Sequence, residues 1–205
     1  MAGTICALAL AVGAYAGISL YRIDRAVHHV AVPASLLARG SNDLLTLIAG
    51  PRHTEEAFLF HTTDGHTNVL HIPIGLALRV SGRTVPLSSL NVHEPDAIIS
   101  GLRRIGVPVS RYVGVDLHMV NPDSSLGRLA TGKISVTSFI TNPTGTTSLL
   151  EQVASHIYLG PNTPVTAVLE LMHVPTTNPV WVPTSDSRHQ VVLAASYVTV
   201  LRHFL

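Results

Sequence analysis

The stretches LLTLIAG (44–50), FLFHTTDGHTNVLHIPIG (58–75) and AIISGLRRIGVPVSRYVGVDL (97–117) decide the fold of this chain. The first is a continuous apolar run that ends at a glycine, which is typical of a short buried strand. The second holds two strand patterns around Asp64-Gly65, a pair that favours the positive φ of a tight hairpin. The third predicts a helix followed by a strand.

The remaining patterns alternate between strand and helix, which favours a layered α/β domain. A second hairpin is indicated at 76–87. Helices are expected at 93–105, 147–156 and 188–205, and further strands at 134–137 and 165–174.

The N-terminal segment Ala2–Leu20 contains no charged residue. As a helix it would extend roughly 28 Å, close to the hydrocarbon thickness of a bilayer. No A-x-A-like cleavage site ends it, so an uncleaved anchor over 1–21 is favoured over a secretory signal. Residues 22–42 are then a juxtamembrane connector and 43–205 the folded domain. The two arginines after the anchor would, by the positive-inside tendency alone, keep that domain in the cytoplasm.

Composition excludes several classes of function. The formal net charge is only +1, so a concentrated basic face for nucleic acid is not expected. The single cysteine, Cys6, cannot form an intramolecular disulfide. Neither a Gly-x-Ser-x-Gly serine nor a Gly-rich phosphate loop occurs. His61, His66 and His71 frame the first hairpin, but no cysteine or close-spaced histidine pair supports a zinc site there.

In their order along the chain, these stretches resemble a LytR-CpsA-Psr (LCP) cell-wall ligase domain. Such domains open with an apolar strand and a Gly-x-Asp-like turn, and continue with Arg-Ser-Asp-like and Ser-Ile-Pro-Arg-Asp motifs. An Ile-Asp-His-Tyr-Val-like strand and an Arg-x-x-Arg-Gln-like helix start follow. The corresponding segments here are 47–51, 52–59, 71–75, 109–113 and 186–190.

The resemblance implies a three-layer α/β/α fold with a central mixed sheet, preceded by an N-terminal transmembrane helix. It also implies a single-pass protein of the cell membrane whose domain is extracytoplasmic, opposite to the orientation that charge alone suggests. LCP enzymes are thought to move a glycopolymer from a polyprenyl-pyrophosphate carrier to peptidoglycan. Arginines would grip the pyrophosphate and carboxylates would hold Mg²⁺.

Three positions depart from the family pattern. Ile74 and Gly75 stand where the proline signature has Arg-Asp, and Pro51 stands where the opening turn has aspartate. An arginine that would bind phosphate and two carboxylates are therefore missing.

The candidate catalytic and ligand-binding residues that remain are Arg52, Arg188 and Gln190, and Glu56 is the candidate Mg²⁺ ligand. The resemblance thus implies a divergent LCP protein that binds a polyprenyl-linked or cell-wall glycan with reduced or no catalysis. The alternative is an active Mg²⁺-dependent transferase, or a prenyl-pyrophosphate pyrophosphatase.

Overall fold

A mixed β-sheet forms the centre of the domain. The computed structural model describes residues 21–49, 54–63, 66–117, 154–167, 180–181, 184–187 and 190–193. The strands in these residues are β1 (His28–His29), β2 (Asp43–Ala49), β3 (Thr54–Thr63), β4 (His66–His71), β5 (Ala77–Val80), β6 (Arg83–Pro86), β7 (Arg111–Asp116), β8 (Ile157–Leu159), β9 (Val180–Trp181), β10 (Thr184–Ser187) and β11 (Gln190–Leu193). Seven of these strands form the central sheet, in the order β1-β8-β7-β2-β3-β4-β9.

Strand β2 lies between an antiparallel and a parallel neighbour, which confirms the predicted mixed sheet. It pairs antiparallel with β3 and parallel with β7. The predicted first hairpin is confirmed as well, since β3 and β4 pair up to Thr63 opposite His66. The second hairpin, β5–β6, closes with Ser81 and Gly82 both at positive φ, the conformation that a tight two-residue turn requires.

The predicted helix after the second hairpin is helix α2, Pro95–Arg104. It follows helical residues 21–26, which we call α1. A proline at the first turn and basic residues in the last turn both favour this placement. Gly106, at φ 85°, follows the helix end, a position at which glycine is common. A Cβ on Gly101 would lie 3.0 Å from Leu78 Cβ, so glycine allows α2 to pack closely on β5.

The two faces of the sheet carry separate apolar clusters because alternate residues of a strand point to opposite faces. We call the side of Leu45, Tyr112 and α2 the α2 face. The side of Leu44 and Val113 packs against α1, and we call it the α1 face. Helices therefore cover both sides of the described sheet.

Part of the predicted connector 22–42 is packed into this domain. Ile23 and Val27 are buried on the α1 face. His28–His29 extends the sheet by pairing parallel with β8, with both histidines exposed at its edge. None of the helices within the described ranges is long and apolar enough to cross a membrane. Of the predicted anchor at 1–21, the described ranges include Tyr21 alone.

Two sequence predictions are wrong where the structure describes them. The expected final helix over 188–205 is a strand at its described residues, because β11 pairs antiparallel with β10. Its run of two valines and a leucine suits a pleated strand. The expected strand at 165–174 is helical at 165–167. The expected strand at 134–137 lies outside the described residues.

Candidate functional site

The candidate site lies at the edge where the parallel strands β2 and β7 end. Ligands of α/β sheets commonly bind beyond the carboxyl ends of such strands. Ala49 and Asp116 are opposite each other in the last pair of β2 and β7. Strand β3 begins at the same edge, with Thr54 opposite Ala49, and β4 ends there. We call this the carboxyl edge.

On the α2 face, the carboxyl edge carries a histidine–aspartate pair. His93, just before α2, has its Nε2 2.7 Å from Asp116 Oδ2. Its ring stacks on Tyr158 of β8 at 4.2 Å between centroids, and His28 stacks on the same tyrosine at 4.9 Å. Burial raises the pKa of Tyr158, and the Asp116 carboxylate raises it further. The group thus joins a carboxylate, imidazoles and a phenol at a partly exposed surface.

On the α1 face, the same edge carries Glu56 of β3 and His71 of β4. His71 Nε2 lies 2.9 Å from Glu56 Oε2, and Phe58 packs edge-on against the imidazole at 5.0 Å. The Glu56 side chain is 48% exposed, whereas that of His71 is 11% exposed. The histidine is therefore held by packing, and the carboxylate remains accessible to a ligand.

The described residues do not fit a Mg²⁺ site of the kind that the resemblance implies. A cation at Glu56 would compete with the His71 imidazole for Oε2. Asp116 cannot join Glu56 as a second carboxylate, because strand register places the two on opposite faces of the sheet. Among the described residues, no three His, Cys, Asp or Glu side chains are grouped closely enough to hold a metal ion.

Of the four predicted site residues, the structure describes the side chain of Glu56 alone. Arg52 and Arg188 lie outside the described residues, and Gln190 is described as part of the backbone of β11. Gln190 is thus on a strand rather than at a helix start. Arg52 stands in sequence between Ala49 and Thr54, both at the carboxyl edge.

The segment 71–75, which lacks the Arg-Asp pair of the family's proline signature, contributes main-chain hydrogen bonds instead of charges. The Pro73 carbonyl accepts a hydrogen bond from Leu76 N–H, and the Ile74 carbonyl accepts one from Ser88 N–H. These bonds fix the turn that leaves β4, so the segment keeps a structural role in the absence of Arg-Asp.

Comparison with known proteins identifies the fold. No protein-family model and no curated protein matches the sequence. Among solved structures, a LytR-Csp2A-Psr enzyme from Actinomyces oris superposes with a TM-score of 0.65 at 13% identity, covering 87% of this chain and 95% of that one. The chain has the LCP fold.

Two other solved structures are similar to this LCP-fold chain. The gbs0355 protein from Streptococcus agalactiae gives a TM-score of 0.52 at 7% identity, covering 79% of this chain and 85% of that one. The Lin1025 protein from Listeria innocua gives a TM-score of 0.50 at 9% identity, covering 79% of this chain and 96% of that one. At such identities the likeness establishes fold and leaves the chemistry to be argued from side chains.

The sequence did not single out His93 or Asp116. Asp116 could have been found as a carboxylate near the end of the strand that the third stretch predicts. His93 had no such signal, because its contact with Asp116 depends on how the residues before α2 cross the carboxyl edge.

Proposed function

We propose that this LCP-fold protein acts in the cell envelope, where it binds a glycan linked to polyprenyl pyrophosphate, or a related cell-wall glycan, with reduced or no transfer chemistry. The observation that carries the proposal is the superposition on the Actinomyces oris LCP enzyme over 87% of this chain and 95% of that one. An almost complete shared fold supports a shared class of ligand.

The side chains at the carboxyl edge support the proposal of reduced catalysis. Phosphoryl transfer from a pyrophosphate needs its developing negative charge neutralised, usually by arginines and metal-bound carboxylates acting together. Here Glu56 is paired with His71, and Asp116 lies on the opposite face. Ile74 and Gly75 supply no charge to the turn after β4.

We assign pyrophosphate binding to Arg52, Arg188 and Gln190. Guanidinium groups offer planar paired donors to phosphate oxygens. The flanking positions of Arg52 at the carboxyl edge support its assignment. The proposal also includes the membrane anchor at 1–21, an extracytoplasmic domain, and peptidoglycan as the neighbouring polymer.

The alternative is an active transferase or prenyl-pyrophosphate pyrophosphatase that uses Mg²⁺. The 48% exposure of the Glu56 side chain favours this alternative, since the carboxylate could leave His71 for a cation. Metal-dependent turnover distinguishes it from the binding function.

Calorimetric titration with farnesyl pyrophosphate tests the proposal, with and without Mg²⁺, while phosphate release is followed in parallel. Saturable binding without release supports it. Arg52→Ala should weaken binding about tenfold or more, as expected for a lost charge-assisted phosphate contact. Arg39→Ala, beyond the other end of β2, is the matched control. Equal loss in both variants, or no binding by the parent chain, would contradict the proposal, and Mg²⁺-dependent release would establish the alternative.

A further inference from the structure

Three side chains form a hydrogen-bonded relay at the opposite end of strand β2 from the carboxyl edge. His61 Nδ1 lies 2.7 Å from Asp43 Oδ1, and His61 Nε2 lies 2.7 Å from Thr63 Oγ1. Asp43 is fully buried and His61 is 8% exposed, whereas Thr63 is exposed. The order is a buried carboxylate, a mostly buried imidazole and an accessible hydroxyl.

Strand register explains this order. Asp43, the first residue of β2, is opposite His61 of β3. Thr63 is two residues further along β3 and therefore lies on the same face of the sheet. Ser110 holds the aspartate backbone on both sides, because its hydroxyl accepts from Asp43 N–H and donates to Asp43 O, both at 2.8 Å.

The geometry sets the role of each atom. A carboxylate only accepts hydrogen bonds, so the His61 proton next to Asp43 is on Nδ1. In the neutral ring Nε2 then carries a lone pair, which accepts the Thr63 hydroxyl proton. A nucleophile, a base and a carboxylate that orients the base, each within hydrogen-bond distance, are the arrangement of a hydrolytic triad.

A substrate can reach this hydroxyl. His61 and Thr63 line an open groove of about 830 Å³, together with the segment from Ala38 to Asp43. Ser41 and Asn42 add polar groups to its wall. Arg39 is the one arginine or lysine among the described lining residues and offers positive charge for a developing oxyanion.

We propose that Thr63 is the nucleophile of a second site, which cleaves small carboxylic esters of polar alcohols, with His61 as its general base and Asp43 as the residue that positions His61. The Thr63 proton passes to His61 Nε2 while Oγ1 bonds to the ester carbonyl carbon. The bond to the alcohol oxygen breaks, and the leaving alkoxide takes the proton from the imidazolium. Water then hydrolyses the threonyl ester through the same relay and releases the carboxylic acid.

This second site is independent of pyrophosphate binding. Asp43 and Ala49 are the two ends of β2, and six residue steps of a strand span about 20 Å. Loss of either activity leaves the other to be tested on its own.

Labelling of the intact, folded chain with an alkyl fluorophosphonate, followed by peptide mass spectrometry, tests the proposal. The Thr63 oxygen should bond to phosphorus with loss of fluoride. Label should be found on Thr63 in the native chain and should be absent from chain unfolded in urea. Thr63→Ser should keep the label and Thr63→Ala should lose it.

Thr62→Ala is the matched control, because Thr62 hydrogen-bonds to Thr67 rather than to His61. This variant should label at Thr63 like the parent. Hydrolysis of p-nitrophenyl acetate should fall at least about tenfold in Thr63→Ala and His61→Gln, and should be unchanged in Thr62→Ala. The chain has twelve histidines, so the Thr62→Ala rate also accounts for hydrolysis by surface imidazoles. Absence of label on native Thr63, or equal hydrolysis in Thr63→Ala and Thr62→Ala, would overturn the proposal.

Discussion

The two ends of strand β2 both pair a carboxylate with a histidine, but they bury the carboxylate to very different degrees. At the Asp43 end, the carboxylate side chain is 0% exposed and its His61 partner 10%. At the carboxyl edge, Glu56 is 48% exposed and Asp116 is 20% exposed. Burial fixes the geometry of the first pair, whereas solvent lets the other two rearrange around a ligand. The first end suits a preorganised relay and the second suits a binding edge.

The largest expected effect is the loss of the buried carboxylate. Asp43→Ala should lower the free energy of unfolding by about 1–3 kcal/mol, because the N–H of a mostly buried imidazole loses its hydrogen-bond partner. Urea denaturation followed by circular dichroism measures it. Asp24→Ala is the matched control, since Asp24 is 60% exposed and lies 3.9 Å from His29. An equal loss of unfolding free energy in Asp43→Ala and Asp24→Ala would show that burial does not make the Asp43 end of β2 distinct.

A buried phenol beneath the carboxyl edge gives the next effect. Tyr112 O–H donates to Val92 O at 2.6 Å, next to the exposed His93. Tyr112→Phe should cost about 1 kcal/mol near neutral pH, the typical net value of such a bond. If Tyr112→Phe lowers the free energy of unfolding by no more than experimental error, the buried Tyr112–Val92 hydrogen bond does not stabilise this edge.

The same residue predicts a dependence on pH. Burial raises the pKa of Tyr112 far above its ordinary value of about 10. Above that value the unfolded chain loses the proton while the folded chain keeps it, so this contribution to stability declines as pH rises. The difference in unfolding free energy between parent and Tyr112→Phe should therefore shrink above about pH 10. A difference that is constant with pH would contradict the burial of the phenol.

A smaller effect is expected at the Glu56–His71 pair, whose carboxylate is exposed. Glu56→Ala should change the free energy of unfolding by less than about 1 kcal/mol, and any loss should diminish in high salt, because exposed ion pairs are screened. Denaturation at two ionic strengths measures both. A salt-independent loss as large as that of Asp43→Ala would make the two ends equivalent.

The smallest effect is a shift in a single titration. Burial first and the Asp116 carboxylate second raise the pKa of Tyr158. Asp116→Asn should therefore lower the pKa of Tyr158, but the rise in pKa that burial causes should remain. Near-ultraviolet phenolate absorbance measures the shift, with Tyr158→Phe identifying its signal among the five tyrosines. An unchanged titration would show that Asp116 does not act on the phenol.

The sequence predicted features that local chemistry decides. The Asp64-Gly65 pair between two strand patterns predicted the first hairpin, and apolar positions on one helical face predicted α2. It failed at β11, because the strand is defined by pairing with β10 rather than by periodicity. The relay at the other end of β2 was out of reach for a similar reason. Asp43 meets His61 only through the register of β2 on β3, which residues between the strands do not determine.

The most direct test of the central claim is equilibrium dialysis of the full chain against a polyprenyl pyrophosphate with Mg²⁺, followed by chromatography of the bound ligand. We expect the protein to retain the ligand with its pyrophosphate intact, and Arg188→Ala to retain markedly less. Ligand that is not retained, or that is recovered as the monophosphate, would contradict an LCP-fold protein that binds without turnover.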